Sequence, residues 1–161
     1  MKKCVNYFKT TLYATSVNES YARIAVSAFA SQLDPTVEEI ADIKTAVSEA
    51  VTNCIVHAYK DEPDEKKKKI YIEAKYDSEG LFTVSVKDKG CGIADIKQAM
   101  EPLFTTDAAN ERSGMGFSIM ESFSDKLSVS SKKGAGTRVI MTKKLSPKKM
   151  LFSAAAKNGR G

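Results

Sequence analysis

The sequence has few of the residues that build disulfide frameworks and metal sites. Its three cysteines, an odd number, stand far apart at Cys4, Cys54 and Cys91, and His57 is the only histidine. This spacing argues against a disulfide framework and a zinc site, and it favours a reducing, cytoplasmic location. No apolar run approaches the roughly 18 residues of a transmembrane helix. The first residues have no apolar stretch behind their lysines, so we expect no secretory signal.

Most of the net positive charge lies at the C-terminal end of the chain. The 161 residues include 25 Lys and Arg against 20 Asp and Glu, a net charge of +5. Residues 146–161 carry +4 of this charge, while the charged segment 61–69 is neutral. The nearly neutral body offers no basic face for nucleic acid. We therefore expect one domain over residues 1–145, followed by a flexible basic tail over residues 146–161.

The first third of the chain predicts a strand and two helices. β-Branched and aromatic residues favour a strand over residues 5–13. Ser16 and Glu19 have the spacing of a capping box, before a helix that runs to about residue 32. Asp34 as N-cap and Pro35 at the first helical position then start a second helix, which continues to about residue 58.

Strands and short helices follow in the remainder of the chain. Apolar residues alternate with polar ones over 70–76 and 82–86, which predicts an antiparallel hairpin. A short helix over 94–100, an aperiodic segment over 103–114, a helix from residue 115 and two last strands complete the pattern. This order indicates a two-layer α+β sandwich, in which helices cover one face of a mostly antiparallel sheet.

The second helix carries three polar residues in one row. Glu49, Asn53 and His57 are spaced i, i+4 and i+8, so they share one stripe of the helix. A carboxylate, a carboxamide and an imidazole in this arrangement can supply a base, a metal ligand and a hydrogen-bond donor. Taken alone, the stripe is more typical of an ordinary exposed polar face.

A glycine-bearing loop follows the hairpin. Asp88, Gly90 and Gly92 come directly after a predicted strand. Glycines allow the backbone to approach a flat ligand closely, and the Asp88 carboxylate can accept a hydrogen bond from an exocyclic amine. Alone, this motif is equally typical of a tight turn between a strand and a helix.

A second glycine element stands at the start of a predicted helix. Gly114 and Gly116 would expose backbone N–H groups there, which is favourable for binding phosphate. Gly136 begins the last predicted strand. The polar side chains associated with these elements are Thr105, Thr106, Arg112 and Thr137.

Together and in this order, the elements resemble the N, G1 and G2 boxes of the GHKL superfamily, which includes gyrase-type ATPases and histidine kinases. The resemblance covers about residues 5–144 and implies the Bergerat ATP-binding fold. Within the superfamily, the chain is similar to the anti-sigma F factor family of spore-forming bacteria. This similarity rests on the stretches FASQLDPT (29–36), SEAVTN (48–53), EPLFTT (101–106) and ERSGMGF (111–117). Members are small serine kinases that also hold a sporulation sigma factor, sigma F.

The resemblance implies a role for the residues around the phosphates. Asn53 would bind Mg²⁺, which bridges the phosphates of ATP. Glu49 would act as the general base that takes the proton from an incoming serine hydroxyl. Gly114 and Gly116 would donate backbone N–H groups to the phosphates.

The resemblance also assigns the residues around the base of ATP. Asp88 would accept a hydrogen bond from the adenine amino group, and Gly90 and Gly92 would give the ring room. Thr137 would support the adenine through its hydroxyl or through a water molecule.

Partner contacts are implied by the same similarity. Thr105 and Thr106 would lie on a lid over the triphosphate, and Arg112 on its edge would contact the antagonist protein, which is the serine phosphoacceptor. Arg23, on the first helix, would contact the sigma factor. A homodimer is expected, and its apolar contact would come from Tyr7, Leu12 and Phe29.

Two other hypotheses remain open. One is a binding module whose partner affinity depends on nucleotide without catalysis, although the carboxylate of Glu49 favours an enzyme. The other is a GHKL relative with a different sigma partner. His57 is not expected to accept phosphate, because no separate helical hairpin carries it. A eukaryotic-type kinase is excluded by the absence of its His-Arg-Asp, Asp-Phe-Gly and Val-Ala-Ile-Lys motifs.

Overall fold

The computed structural model describes residues 2–102 and 116–145. Within them the helices are α1 (Val17–Ala30), α2 (Val37–Asn53), α3 (Ile96–Ala99) and α4 (Gly116–Ser122), with short 3₁₀ turns at Ser31–Leu33 and Glu65–Lys67 and a π-helical turn at Cys54–Ala58. The strands are β1 (Cys4–Tyr13), β2 (Lys69–Asp77), β3 (Leu81–Asp88), β4 (Lys126–Lys132) and β5 (Gly136–Lys144). None of the described helices combines the length and the apolar character that crossing a bilayer would require.

The described strands form one antiparallel sheet in the order β1-β2-β3-β5-β4. Apolar and polar residues alternate along β2, and this alternation turns one face of the strand toward the core. Ile70, Ile72, Ala74 and Tyr76 are buried, and the residues between them point to the opposite face. The predicted hairpin and the two-layer α+β sandwich with an antiparallel sheet are thus confirmed.

Helices α1 and α2 pack on the buried face of the sheet and close the core. Phe29 of α1 lies against Phe8 of β1 and Tyr76 of β2, with ring centroids 4.9 Å and 5.3 Å apart. Lys143 of β5 holds α2 through a 3.0 Å ion pair with Asp42. Phe29 is therefore a core residue, and its expected place in a dimer contact is wrong.

The N-terminal caps differ from the prediction. Ser16 makes no side-chain cap, and its backbone is already helical. Glu19 instead accepts a hydrogen bond from Ser48 of α2. The capping box lies at the next helix, where Thr36 Oγ1 accepts from Glu39 N–H at 3.1 Å and Glu39 Oε2 accepts from Thr36 N–H at 2.8 Å.

The predicted start of the second helix is also corrected, whereas its helical segment does end at Ala58 as expected. Asp34 is not its N-cap, because it adopts a left-handed conformation with φ of 50°, and the helix begins only at Val37. At the other end, regular α-helix stops at Asn53, and the chain continues to Ala58 as a wider π-helical turn. Such turns are rare and are frequent at functional sites.

Candidate functional site

A cavity of about 450 Å³ opens at the end of α2, beside one edge of the two-layer core. Its walls come from the π-helical turn, the ends of β3 and β5, the segment 91–99 and the first residues of α4. This volume lies in the range of small-molecule sites. Five residues predicted for a cofactor line it: Asn53, Asp88, Gly92, Gly116 and Thr137.

Asp88 forms the buried polar floor of this cavity. Its carboxylate is 5% exposed. Oδ1 accepts the backbone N–H groups of Gly90 at 2.9 Å and Thr137 at 3.2 Å, and Oδ2 lies 3.6 Å from the thiol of Cys54. Burial raises the pKa of Asp88 above its ordinary value, and the two backbone donors offset part of that effect.

Thr137 also presents an acceptor to the cavity. Its hydroxyl lies 2.8 Å from that of Ser131. Ser131 also lies 3.0 Å from the carbonyl of Gly136 and accepts the N–H of Ile93 at 2.7 Å. Either hydroxyl of the Ser131–Thr137 pair can supply the proton between them, and both carry lone pairs that accept. With the Asp88 carboxylate beside them, the floor suits a ligand that brings N–H donors.

The loop glycines let the chain pack closely beneath the cavity. A Cβ at Gly90 would lie 2.0 Å from the carbonyl oxygen of Ala58, and a Cβ at Gly92 would lie 2.1 Å from that of Lys132. Gly92 also has a φ of +72°. Gly90 thus lets the loop lie against the π-helical turn, where Cys91 N–H donates to the carbonyl of Ala58 at 2.7 Å, and Gly92 lets it lie against the end of β4.

Glu49 and Asn53 flank the first residue of α4. A Cβ at Gly116 would lie 3.3 Å from both Glu49 Oε2 and Asn53 Oδ1, so the two side chains approach the same point. His57 also lines the cavity, and its carbonyl lies 3.4 Å from the thiol of Cys91. The row of polar residues predicted on this helix is therefore half-buried beside the cavity.

The other predicted residues are placed elsewhere. Arg23 lies on α1, where its guanidinium is 3.8 Å from Glu19, and it does not line the cavity. The lid and antagonist residues and one of the two phosphate-binding glycines lie outside the described residues, as does the basic tail over 146–161. The residues concerned are Thr105, Thr106, Arg112 and Gly114.

Sequence reasoning missed three residues that support the site. Cys54 contacts Asp88, and Ser131 contacts Thr137. Tyr59 accepts the N–H of Lys89 at 2.9 Å and donates to the carbonyl of Lys69, and burial raises the pKa of its hydroxyl. Only Cys54 had a sequence signal, because it adjoins Asn53.

The fold agrees with comparisons to known proteins. The family described as "Histidine kinase-like ATPase domain" matches residues 13–143. The chain is thus a histidine kinase-like ATPase domain. It belongs, within that class, to the anti-sigma F factor family. Anti-sigma F factor of Thermoanaerobacter sp. (strain X514) is 54% identical over 138 residues, 86% of this chain and 93% of that protein. Anti-sigma F factor of Clostridium novyi (strain NT) is 55% identical over 140 residues, 87% of this chain and 95% of that protein.

Solved structures share the fold. The RsbU and RsbW domains of Rv1364c from Mycobacterium tuberculosis match with a TM-score of 0.63 at 20% identity, over 88% of this chain and 33% of that one. A chain of the SiaB-SiaC complex from Pseudomonas aeruginosa also matches with a TM-score of 0.63, at 13% identity, over 88% of this chain and 90% of that one. The resemblance to the GHKL superfamily is confirmed by the family match over residues 13–143.

Proposed function

We propose that this protein is an anti-sigma factor and a serine-protein kinase. It would hold a sporulation sigma factor of the sigma F type, bind ATP with Mg²⁺, and phosphorylate a serine of an antagonist protein. Two lines of support are membership of the anti-sigma F factor family and the cavity at the end of α2. The observation that carries the enzyme proposal is the approach of Glu49 and Asn53 to Gly116.

The adenine of ATP would lie at the floor of the cavity, against the hydrogen-bond acceptors of Asp88 and Thr137. The amino group of adenine would donate to the carboxylate of Asp88, and Thr137 would accept from a water or a ring substituent. The triphosphate would then point along α2 toward the start of α4. There the backbone N–H groups of Gly116 and Gly114 would meet its oxygens.

The side chains near Gly116 fit a magnesium ion. No group of three or more His, Cys, Asp or Glu residues suitable for a metal occurs in residues 2–102 and 116–145. Magnesium needs no such cage, because phosphates and water supply most of its oxygen ligands. Asn53 Oδ1 would be the protein ligand. The bound ion would neutralise charge on the phosphates during transfer.

Glu49 would serve as the base in phosphoryl transfer. Its carboxylate takes the proton of the serine hydroxyl as the serine oxygen bonds to the γ-phosphorus. The bond from that phosphorus to the bridging oxygen breaks, and ADP leaves with the electron pair. Glu49 lies one helical turn from Asn53, so the base would lie at the same end of the cavity as the γ-phosphate.

Arg23 is proposed as a contact for the sigma factor and Arg112 as a contact for the antagonist. The Arg23 side chain is 40% exposed on α1, away from the cavity, so a protein can reach it. A homodimer is also proposed. Tyr7, 62% exposed on the edge strand β1, would contribute to its contact, and the same strand also exposes Val5 and Tyr13.

The kinase proposal is tested by transfer of labelled phosphate from ATP to a purified antagonist protein. In Glu49→Gln we expect transfer to fall by about 10²- to 10⁴-fold, with ATP affinity within about twofold of the natural protein. Glu38→Gln, on the exposed first turn of the same helix, is the matched control and retains full transfer. Unchanged transfer in Glu49→Gln would refute the assigned base.

Sigma binding is tested by co-purification with a sigma F factor in the presence of ATP, ADP or no nucleotide. Capture that depends on nucleotide, without any phosphate transfer to the antagonist, would instead support the binding-module hypothesis. Loss of sigma capture in Arg23→Ala, with ATP binding intact, is the expected result for the α1 surface. Retained capture in that variant would remove Arg23 from the interface.

A further inference from the structure

Cys54 occupies a position that a purely apolar side chain could fill. It is the first residue of the π-helical turn and is 5% exposed. Its sulfur lies 3.6 Å from Asp88 Oδ2, a contact between residues 34 positions apart. The thiol is the only donor of this pair, so the contact is an S–H group donating to the carboxylate.

We propose that Cys54 is a positioning residue that makes the nucleotide site selective for 6-aminopurines over 6-oxopurines. This inference rests on the proposed binding of ATP. Cys54 lines the cavity, and it would set this selectivity through its hydrogen bond to Asp88.

The number of free acceptor positions on Asp88 limits which groups of a ligand can bind there. A carboxylate offers about four lone-pair positions. Two on Oδ1 are taken by the backbone N–H groups of Gly90 and Thr137, and one on Oδ2 is taken by the thiol of Cys54. One acceptor position remains for a ligand. The amino group of adenine fits it, whereas the oxygen of a 6-oxopurine would meet it lone pair to lone pair.

Removal of the thiol changes the polarity of this floor. An alanine at position 54 frees a second acceptor position on Oδ2 and leaves a small space beside a carboxylate. A water molecule fits such a polar space. Because water can also donate, it can bridge Asp88 to a 6-oxo group. The site then loses part of its discrimination while its shape is retained.

The experiment compares binding of three nucleotides by calorimetry: ATP, inosine triphosphate and purine riboside triphosphate, which has neither substituent at position 6. In Cys54→Ala we expect the ratio of ATP to inosine triphosphate affinity to fall about 3- to 10-fold. In Cys54→Ser, which retains a donor, the ratio should stay within about twofold of the natural protein. Affinity for purine riboside triphosphate should change little in either variant. Cys4→Ala, an exposed thiol away from the cavity, is the matched control.

The outcomes separate this inference from the proposed function. Natural protein that binds none of the three nucleotides would overturn the proposed function and this inference with it. Natural protein that prefers ATP, together with an unchanged ratio in Cys54→Ala, would overturn the role of Cys54 alone. An equal loss for all three nucleotides would also overturn it, since that pattern indicates a packing role. The role of Cys54 would also be overturned if the ratio of ATP to inosine triphosphate affinity fell as much in Cys54→Ser as in Cys54→Ala. Thermal unfolding of each variant confirms that the fold is intact.

Discussion

The carboxylate of Asp88 and the backbone N–H of Thr137 are joined at 3.2 Å, across 49 positions of the chain. This hydrogen bond ties the end of β3 to the beginning of β5 at the floor of the cavity. Asp88 thus has two structural roles, since the same carboxylate that faces the cavity also holds two strand ends together. Substitutions of Asp88 should separate its effect on ligand binding from its effect on stability.

Asp88→Asn should weaken ATP binding by about 10-fold or more. The amide can keep its oxygen toward Gly90 and Thr137, but it then turns an N–H₂ donor toward the amino group of adenine. Loss of a hydrogen bond to a charged group has an effect of this size. Calorimetric titration with ATP measures it, and Asp61→Asn, in the exposed segment after Tyr59, is the control. Equal affinities of both variants would remove Asp88 from the base site.

The same substitution should not reduce stability at neutral pH. Burial raises the pKa of Asp88 in the folded state, so folding is penalised when this carboxyl is ionised. The penalty is absent below the ordinary pKa of an aspartate, grows as pH rises to the raised folded pKa, and is constant above it. The nearby titratable groups, Cys54 and Tyr59, remain protonated in this window.

Denaturant unfolding of the natural protein and of Asp88→Asn over a range of pH tests this sign. The free energy of unfolding of the variant should equal that of the natural protein at acidic pH and exceed it at neutral pH. A variant that is less stable at neutral pH would show that the hydrogen bonds of Asp88 outweigh its burial.

Thr36→Ala should lower the free energy of unfolding by about 1 kcal/mol, because it removes half of the capping box of α2. Ser16→Ala is the matched comparison. Ser16 precedes α1 but makes no side-chain cap, so its replacement should change stability by less than about 0.5 kcal/mol. Urea unfolding of the two variants measures the difference. Equal losses would contradict the assignment of the caps.

Gly90→Ala should destabilise the fold by about 2 kcal/mol or more, because the new Cβ would lie 2.0 Å from the carbonyl oxygen of Ala58. Gly134→Ala provides the comparison. No atom lies within 4 Å of a Cβ there, and only its φ of +80° disfavours alanine. Conformational strain alone should then cost about 1 kcal/mol. The order of the two losses, measured by urea unfolding, tests whether the contact with Ala58 is rigid.

The sheet was predictable because its signal repeats along each strand. Alternation over residues 70–76 places four apolar side chains on one face, and the same face is buried in the structure. The helix ends were less predictable, since a cap depends on one or two backbone angles. Asp34-Pro35 reads as a helix start, yet Asp34 is left-handed and the cap falls at Thr36. Both Asp34 and Thr36 are residue types that suit an N-cap, and tertiary packing decides which of them begins the helix.

The residues of the candidate site that belong to a short sequence motif were predictable. Asn53, Asp88 and Thr137 each stand in or beside such a motif, and the fold brings them to one cavity. The supporting partners had no such signal. Ser131 lies on β4, and its contact with Thr137 depends on the register between β4 and β5. A register of this kind follows from the packing of the whole sheet.

The π-helical turn makes the residue count between Asn53 and Tyr59 critical. Deletion of one residue there would favour a regular α-helix, in which each position advances by about 100°. Ala58 would rotate away from the N–H of Cys91, and Tyr59 would lose its bonds to Lys69 and Lys89. Residues 54–58 should therefore accept changes of side chain more readily than changes of length. The exposed connection after Tyr59 is the better place for insertions.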